Sequence, residues 1–228
     1  MMLSIIITSL TANNQTSKSL QQLDFEHEII LATEKGLGLA RNKGAERAKG
    51  DLLVFLDSDL KVYPALWSVV HSLPIGSFAM AYEGFSHGGT PQPVTRVLAI
   101  HKQDFQKIRF DESIQYCGED RDFFLTCYEK GLTPKYVRPA GYYEHIDHPL
   151  RIENRLVLFK ESYELAYVLR KHGATTRVYK SFRRWLFPFM FKKSYVKLSI
   201  KSFAVKFSIS MVRDFCILIH LFTRVDKN

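Results

Sequence analysis

Two aspartates one residue apart end a run of apolar side chains. The stretch Val54–Leu60 reads VFLDSDL, with Ser58 between Asp57 and Asp59. Neighbouring carboxylates repel each other unless a cation lies between them, and Mg²⁺ and Mn²⁺ prefer oxygen ligands. The pattern therefore indicates a site for a metal–diphosphate, with Asp57 and Asp59 as ligands. The alternative is a solvated turn, or a helix beginning near Val62 that Asp59 caps.

A second acidic group lies further along the chain, in the stretch GEDRDFF. Glu119, Asp120 and Asp122 fall within four residues at the predicted start of a helix. The helix dipole favours carboxylates there. Three of them exceed what capping requires, so one is a candidate general base.

Two histidines follow a predicted strand about 25 residues later. His145 and His148 flank Asp147 in a loop. A loop histidine is often only part of a polar surface, but in a chain with a D-x-D it is also a candidate metal ligand. The residues themselves leave open whether His145, His148 or neither binds the metal.

The elements that must position these residues alternate between strand and helix. The first half predicts a strand at 3–8, a short helix near 17–23, a strand at 27–33, a helix at 36–50 that stops at Gly50, and a buried strand at 51–56. This order predicts a mostly parallel sheet covered on both faces. Ligands of such sheets bind at the carboxyl ends of the strands, which is where Asp57 and Asp59 fall.

The rest of the chain divides near residue 150. Residues 77–100 read as a strand, a Gly/Pro loop and a second strand, and residues 118–131 read as a helix closing at Gly131. A last strand leads into the histidine loop, and helical patterns dominate from residue 151. We therefore expect one α/β domain at 1–150 and a basic, mainly helical extension at 151–228.

Charge is distributed unevenly along the 228 residues. Residues 1–150 hold 15 Lys+Arg against 18 Asp+Glu, a net of −3, whereas residues 151–228 hold 17 against 5, a net of +12. Hydrophobic residues at 46% indicate a globular chain. The three cysteines lack metal-ligand spacing and fit a reducing compartment. With neither a signal-peptide pattern nor a spanning apolar run, we expect a cytoplasmic protein.

The basic tail interleaves aromatic residues with Lys and Arg, as in SFRRWLFPFMFKK. This pattern favours an in-plane anchor on the cytoplasmic face of an anionic membrane. Packing of a helical appendage on the first domain is an alternative. Nucleic-acid binding is the least favoured of the three.

Three segments of residues 3–150 resemble family 2 of the inverting glycosyltransferases, which have the GT-A fold. They are LSIIITSL, then GLGLARNKGAERAKGDLLVFLDSDL, and RFDESIQYCGEDRDFFLTCYEKGLTPKYVRPAGYYEH. The resemblance implies a Rossmann-like, mostly parallel mixed sheet between helices. It also implies transfer of a sugar from a nucleotide-sugar donor to a glycan or lipid-linked acceptor, with Mn²⁺ or Mg²⁺ as cofactor.

The resemblance also implies roles for individual residues. Asp57 would face the nucleotide ribose or the metal, Asp59 would ligate the cation on the diphosphate, and Asp120 would be the base. His145 would complete the metal shell. The donor-side candidates are Thr8, Ser9, Glu34, Arg41, Asn42, Asp57 and Ser58, and the acceptor-side candidates are Tyr82, Glu83, Glu119 and Asp122.

Two departures from the family pattern concern the nucleotide. The first strand ends in Thr-Ser-Leu-Thr where the family usually has Pro-Thr/Ala-Tyr-Asn, and LATEKG replaces a usual Asp-Asp-Gly-Ser, which leaves Glu34 as the substitute acid. A nucleotidyltransferase and a catalytically degenerate binding module are the alternative functions. The former usually has a basic, Gly-rich loop after its first strand, and TSLTANNQ is not one.

Overall fold

The computed structural model describes residues 1–9, 14–20, 23–85, 91–115 and 118–146, together with Glu164, Tyr167, Val168, Lys171 and His172. Side chains of 83–85, 91, 92 and 140 are not covered. His148, the Glu83 side chain and all but five residues of the basic tail therefore lie outside the described residues. No helix in the described part is long and apolar enough to cross a membrane.

Strands and helices alternate through the described part of the chain. Their bounds are β1 Leu3–Thr8, α1 Gln15–Ser19, β2 His27–Ala32, α2 Leu37–Arg47, β3 Leu52–Asp57, β4 Leu60–Val62, α3 Pro64–His71, β5 Ser77–Phe85, β6 Pro91–His101, α4 Lys102–Phe105, α5 Glu119–Glu129, β7 Thr133–Val137, α6 Pro139–Tyr142 and β8 Tyr143–His145.

Six strands form one mixed sheet in the order β2-β1-β3-β6-β5-β7. β1 is parallel to β2 and β3, and β5 is parallel to β7, whereas β3 and β6 are antiparallel. β4 and β8 form a separate antiparallel ribbon. The predicted Rossmann-like α/β architecture, a mostly parallel mixed sheet with helices, is confirmed.

The apolar run of β3 reflects burial on both faces of the sheet. Leu52, Val54 and Leu56 lie in one hydrophobic cluster, and Leu53 and Phe55 lie in the other. A strand covered on only one face would instead alternate apolar and polar residues. Asp57 therefore lies at the end of a strand that is buried on both faces, and Asp59 lies just beyond it.

Helix α2 lies unusually close to β1 because it carries glycine at the contact. A Cβ at Gly44 would lie 2.4 Å from Ile6 Cγ2. Arg41 is three residues earlier on the same helical face, so the close approach also holds Arg41 against the sheet. Gly50 does not end this helix as predicted, because α2 stops at Arg47. Gly50 instead passes beside β1, where a Cβ would lie 2.6 Å from Met2 O.

Two further predicted elements differ in the structure. The first helix covers Gln15–Ser19 rather than the region near 17–23, with Asn14 as its N-cap. The helix expected near Val62 is α3, which begins at Pro64 with Tyr63 as its N-cap, and strand β4 separates it from Asp59. Asp59 is therefore not a helix cap, and that part of the alternative is wrong, whereas Ser58 and Asp59 do form a turn.

Candidate active site

The carboxyl ends of three parallel strands meet at one edge of the sheet. Thr8 pairs in register with Ala32 on one side and with Asp57 on the other. The Ser9 amide donates to Ala32 O at 3.1 Å. This edge therefore brings together three of the predicted donor-side residues, Thr8, Ser9 and Asp57, and Glu34 follows two residues beyond β2.

The backbone of the D-x-D is fixed by Thr16, which the sequence analysis did not single out. The buried Thr16 hydroxyl donates to Asp57 O at 2.6 Å and accepts from the Leu60 amide at 2.9 Å. The Thr16 amide donates to Ser58 O at 3.3 Å. One threonine of α1 thus holds the loop at both ends, while the half-buried Ser58 keeps its predicted place at the edge.

A single buried arginine joins the two acidic groups. The guanidinium of Arg41 lies 3.2 Å from Asp57 Oδ1, 3.4 Å from Glu119 Oε1 and 3.9 Å from Asp120 Oδ1. Its side chain is 2% exposed and stacks over the Phe110 ring. The pKa of Arg41 is raised, since the three carboxylates outweigh the cost of burial. Arg41 therefore stays charged and couples the D-x-D to the start of α5.

The Asp120 carboxyl group has an unusual proton affinity. Burial, followed by the charge of Glu119, raises its pKa from 3.8 to about 7. Arg41 and the hydroxyl of Thr95 act in the opposite direction, and Asp57 adds to the increase. A carboxylate with a pKa near the working pH is suited to accept a proton from a substrate.

Thr95 is another residue that sequence reasoning missed. It is 2% exposed and donates its hydroxyl hydrogen to Asp120 Oδ1. β6 pairs antiparallel with β3 as far as Leu56↔Val97, so Thr95 lies beyond the last pair, level with the D-x-D. The amino-terminal half of this antiparallel strand therefore reaches the site, whereas a parallel sheet would bring only carboxyl ends of strands there.

The ribbon of β4 and β8 carries His145 to the D-x-D. Leu60 pairs with His145, and the Ile146 amide donates to Asp59 O at 2.8 Å. His145 Nε2 consequently lies 3.2 Å from Asp59 Oδ2. Of the residues predicted as metal ligands, the structure brings these two side chains together, and both are partly exposed.

The donor set and the charge of this site fit a divalent cation. Two ligands at right angles on an octahedral ion, each about 2.1 Å from it, are about 3 Å apart, close to the Asp59–His145 separation. Burial, and after it the neighbouring charge of Asp59, raise the pKa of Asp57 despite the opposing charge of Arg41. Three carboxylates (Asp57, Glu119 and Asp120) surround the Arg41 guanidinium, and Asp59 adds a fourth negative charge beside Asp57. A cation would relieve that excess.

No three His, Cys, Asp or Glu side chains converge as a metal site within the described ranges. Asp57 Oδ1 is held by Arg41, so Asp59 and His145 are the candidate ligands whose side chains lie together. Mg²⁺ and Mn²⁺ sites of this kind commonly take further oxygens from phosphate and water. The two side chains therefore suit a cation that arrives with a diphosphate.

Several predicted contacts with ligands do not fit the structure. Asn42 is 1% exposed, and its amide bonds Phe110 N, Phe110 O and Glu112 Oε1. It therefore holds the chain before α5 rather than a donor. Glu119 and Asp122 are 7% and 1% exposed, too buried to contact an acceptor.

Two other predicted residues are held by neighbouring side chains, with Glu34 25% exposed and Tyr82 5% exposed. Glu34 is 2.6 Å from Arg47 Nη1; burial opposes ionisation, but this contact outweighs it and lowers the pKa of Glu34. Tyr82 accepts a hydrogen bond from Arg138 Nε and packs edge-on against Tyr136. Glu34 is thus a fixed anionic acceptor, and Tyr82 is the buried partner of the exposed Tyr136 ring.

Comparisons with known proteins agree with this architecture. The family model described as Glycosyl transferase family 2 matches residues 13–71, about a quarter of the chain, from before α1 to the end of α3. No curated protein matches the sequence.

Solved structures share the fold at low sequence identity. Glucosyl-3-phosphoglycerate synthase from Mycobacterium tuberculosis, in complex with Mn²⁺, UDP and glucosyl-3-phosphoglycerate, has a TM-score of 0.54 and 15% identity over 75% of this chain and 80% of its own. S. aureus TarS 1–349, in complex with UDP-GlcNAc, has a TM-score of 0.51 and 16% identity over 88% of this chain and 77% of its own.

The D-x-D segment and the sheet thus agree on one assignment. The family match includes both aspartates and Arg41. The fold that contains this segment is shared with the two solved structures, at TM-scores of 0.51 and 0.54. Residues 13–71 therefore match a glycosyl transferase family 2 model, and they lie within a fold of the GT-A type.

Proposed function

We propose that this protein is a metal-dependent, inverting glycosyltransferase that moves a sugar, of the hexosyl type, from a nucleotide-sugar donor to a glycan or lipid-linked acceptor. One observation carries the proposal. Arg41 holds the D-x-D carboxylate Asp57 and the candidate base Asp120 on the two sides of one site. A glycosyltransferase needs one acidic group near the donor diphosphate and another near the acceptor hydroxyl group, and Asp57 and Asp120 suit these two positions.

The donor would lie along the sheet edge formed by β1, β2 and β3. Thr8, Ser9 and Ser58 offer hydroxyl groups there, and Glu34 offers a fixed carboxylate that can accept a hydrogen bond from a nucleotide base. Asp59 and His145 would hold Mn²⁺ or Mg²⁺. When bound, the cation neutralises negative charge on the leaving nucleoside diphosphate. Neighbours of the same fold were crystallised with Mn²⁺ or Mg²⁺ and UDP, which supports this cofactor.

Asp120 would act on the acceptor. The acceptor oxygen bonds to the anomeric carbon, and its proton passes to Asp120. The bond from that carbon to the diphosphate oxygen breaks, and its electron pair leaves with the nucleoside diphosphate. Attack opposite the leaving group inverts the configuration, and general-base help is worth about 10²–10⁴-fold in rate.

The acceptor would lie over the aromatic surface beside α5. Phe124, one turn after Asp120, faces the Tyr136 ring at 6.4 Å, and Tyr136 contacts Tyr82 at 5.5 Å. Tyr136 is 40% exposed. The exposed Arg138 lies over the Tyr82 ring at 5.6 Å and donates from Nε to the Tyr82 hydroxyl group. Aromatic faces with nearby N–H donors suit a sugar, which presents both C–H and hydroxyl groups.

A panel of nucleoside diphosphates tests the donor site. Thermal unfolding is measured with UDP, GDP, ADP and dTDP, each with Mn²⁺ and with EDTA. One nucleotide should raise Tm in the presence of Mn²⁺ and have little effect in EDTA, since the cation links the diphosphate to Asp59 and His145. Metal-independent shifts, or no shift with any nucleotide, would contradict the proposal. Binding of a nucleotide sugar without any transfer or hydrolysis would identify a binding module instead.

We also propose that the basic tail associates with the cytoplasmic face of an anionic membrane, where a lipid-linked acceptor would be available for polysaccharide or glycoconjugate synthesis. Its +12 net charge and interleaved aromatic residues support this. Each Lys or Arg near an anionic bilayer is worth about 1 kcal/mol.

Sedimentation with liposomes tests the tail. The full chain is compared with the variant Lys193→Gln/Lys197→Gln/Lys201→Gln, with and without anionic lipid. The variant should bind anionic vesicles more weakly than the full chain does. On vesicles without anionic lipid the two proteins should not differ. Equal partitioning of both proteins would exclude this use of the lysines. Steeply salt-dependent binding to single-stranded oligonucleotides, without liposome binding, would favour nucleic acid.

A further inference from the structure

The two oxygens of the Asp120 carboxylate have different surroundings. Oδ1 accepts the hydroxyl hydrogen of Thr95 and lies 3.9 Å from Arg41 Nη1. Among the described residues, Oδ2 has no hydrogen-bond or ion-pair partner. The Asp120 side chain is 27% exposed, so part of the carboxylate is accessible from solvent.

We propose that Thr95 is a positioning residue that anchors Asp120 through Oδ1, and that Oδ2 is the oxygen that takes the acceptor proton. This inference rests on the proposed function, in which Asp120 is the base. The hydroxyl of Thr95 fixes the rotation of the carboxylate about its Cβ–Cγ bond. With Oδ1 occupied, only Oδ2 faces an incoming hydroxyl group.

The sheet explains why a threonine suits this place. Thr95 lies on β6 beyond its last pair with β3, so its backbone belongs to a rigid element, while its side chain reaches α5. It is 2% exposed, so water does not compete for its hydroxyl group. A β-branched residue also has few rotamers in a strand, which keeps the donor aimed at Oδ1.

Thr95 also influences when Asp120 is ionised. The groups that face the carboxylate are Arg41 from α2, Asp57 from β3, Glu119 from α5 itself and Thr95 from β6. Thr95 and Arg41 favour the anion, whereas Glu119 and Asp57 disfavour it. Loss of the hydroxyl group removes one of the two favourable contacts, so Asp120 should hold its proton to higher pH.

The test compares Thr95→Val, which removes the hydroxyl group at equal size, with Thr95→Ser, which keeps it. Thr126→Val is the matched control. Thr126 lies on α5, the helix that carries Asp120, but its hydroxyl group donates to Asp122 O at 2.8 Å and not to Asp120. Carboxyl ¹³C NMR follows the Asp120 titration in the full chain with EDTA, and Asp120→Asn identifies the signal. We expect Thr95→Val to raise the pKa of Asp120 by about one pH unit, and the other two variants to leave it unchanged.

Turnover gives a second, separate readout, as release of UDP from UDP-glucose or of whichever nucleoside diphosphate the donor panel selects. The acid limb of kcat/KM should move to higher pH in Thr95→Val, with about a fivefold loss at pH 7 and almost no loss at pH 9. The nucleotide-dependent Tm shift should persist. A merely structural role would lower activity equally at every pH.

Three outcomes overturn the proposal: an unchanged Asp120 titration in Thr95→Val, the same change in Thr126→Val, or a Thr95→Ser protein that behaves like Thr95→Val. The NMR result stands whether or not a donor is found. A Thr95-dependent titration in a protein that binds no nucleotide would therefore reject the proposed function and keep the anchoring contact. Normal transfer by Thr95→Val with an unchanged Asp120 titration would keep the proposed function and reject the anchoring contact.

Discussion

Replacing Asp120 with Asn should stabilise the protein while it abolishes transfer. Asn keeps the shape of the side chain and can still accept the Thr95 hydrogen bond, but it cannot take up a proton. The folded protein holds the Asp120 proton up to a pKa of about 7, whereas the ordinary value is 3.8. Between these values the unfolded chain releases a proton that the folded chain keeps. Stability of the wild type therefore falls as the pH rises from about 4 to 7, and the variant escapes this loss.

The magnitude follows from the size of the shift. Three pH units correspond to about 4 kcal/mol at most. The side chain is 27% exposed, so water screens part of the effect, and about 2–4 kcal/mol is the expected gain in the free energy of unfolding at pH 8. For a chain of this size that gain raises Tm by about 5–15 °C.

Thermal unfolding in EDTA, from pH 4.5 to pH 8.5, measures this effect. The Tm difference between Asp120→Asn and wild type should increase up to about pH 7 and then level off. The exposed Asp24→Asn is the matched control, since it changes the net charge equally. A Tm difference that does not vary with pH would refute the reasoning. So would near-normal transfer by Asp120→Asn, in which case the base lies elsewhere.

Three other predictions concern the candidate metal ligands, the buried arginine and the threonine that holds the D-x-D loop. Asp59→Asn and His145→Ala should each abolish the Mn²⁺-dependent Tm shift with a nucleoside diphosphate; a shift that survives in His145→Ala would remove this residue from the metal shell. Arg41→Met should lower the free energy of unfolding by about 3–5 kcal/mol, measured in urea, because it leaves buried carboxylates without a cation; a loss below about 1 kcal/mol would show that the ion pairs contribute little. Thr16→Val should cost about 1–3 kcal/mol and weaken Mn²⁺ binding, since two backbone groups of the D-x-D loop lose their partner, whereas Thr16→Ser should retain both.

Local sequence patterns were sufficient to predict the elements that carry the site. The continuous apolar run of β3 reports burial on both faces, and so places Asp57 at the end of a core strand. The acids at Glu119–Asp122 and the stop at Gly131, which has φ +79°, predicted the bounds of α5 closely. These features are local: propensity, burial pattern and capping act within one element. They also supported the resemblance to family 2 glycosyltransferases.

Local patterns gave wrong predictions where the same residue type suits two different structural roles. Gly50 follows a helix and was read as its stop, but the glycine is required by the passing backbone of β1 at Met2. Asn42 lies in a segment typical of donor binding, but its amide is used within the protein. Both contacts, of Gly50 with Met2 and of Asn42 with Phe110, join segments that are distant in sequence, so the residues next to Gly50 and Asn42 do not predict them.

The contacts that make the site were decided by tertiary structure. Arg41 meets Glu119 across 78 residues of sequence, the ribbon pairs Leu60 with His145, and antiparallel β6 brings Thr95 to Asp120. Each depends on strand order and register, which are set by the packing of whole elements and not by the residues at the contact. The sequence by itself therefore determined which side chains could do the chemistry, and the pairing of distant elements decided which of them act together.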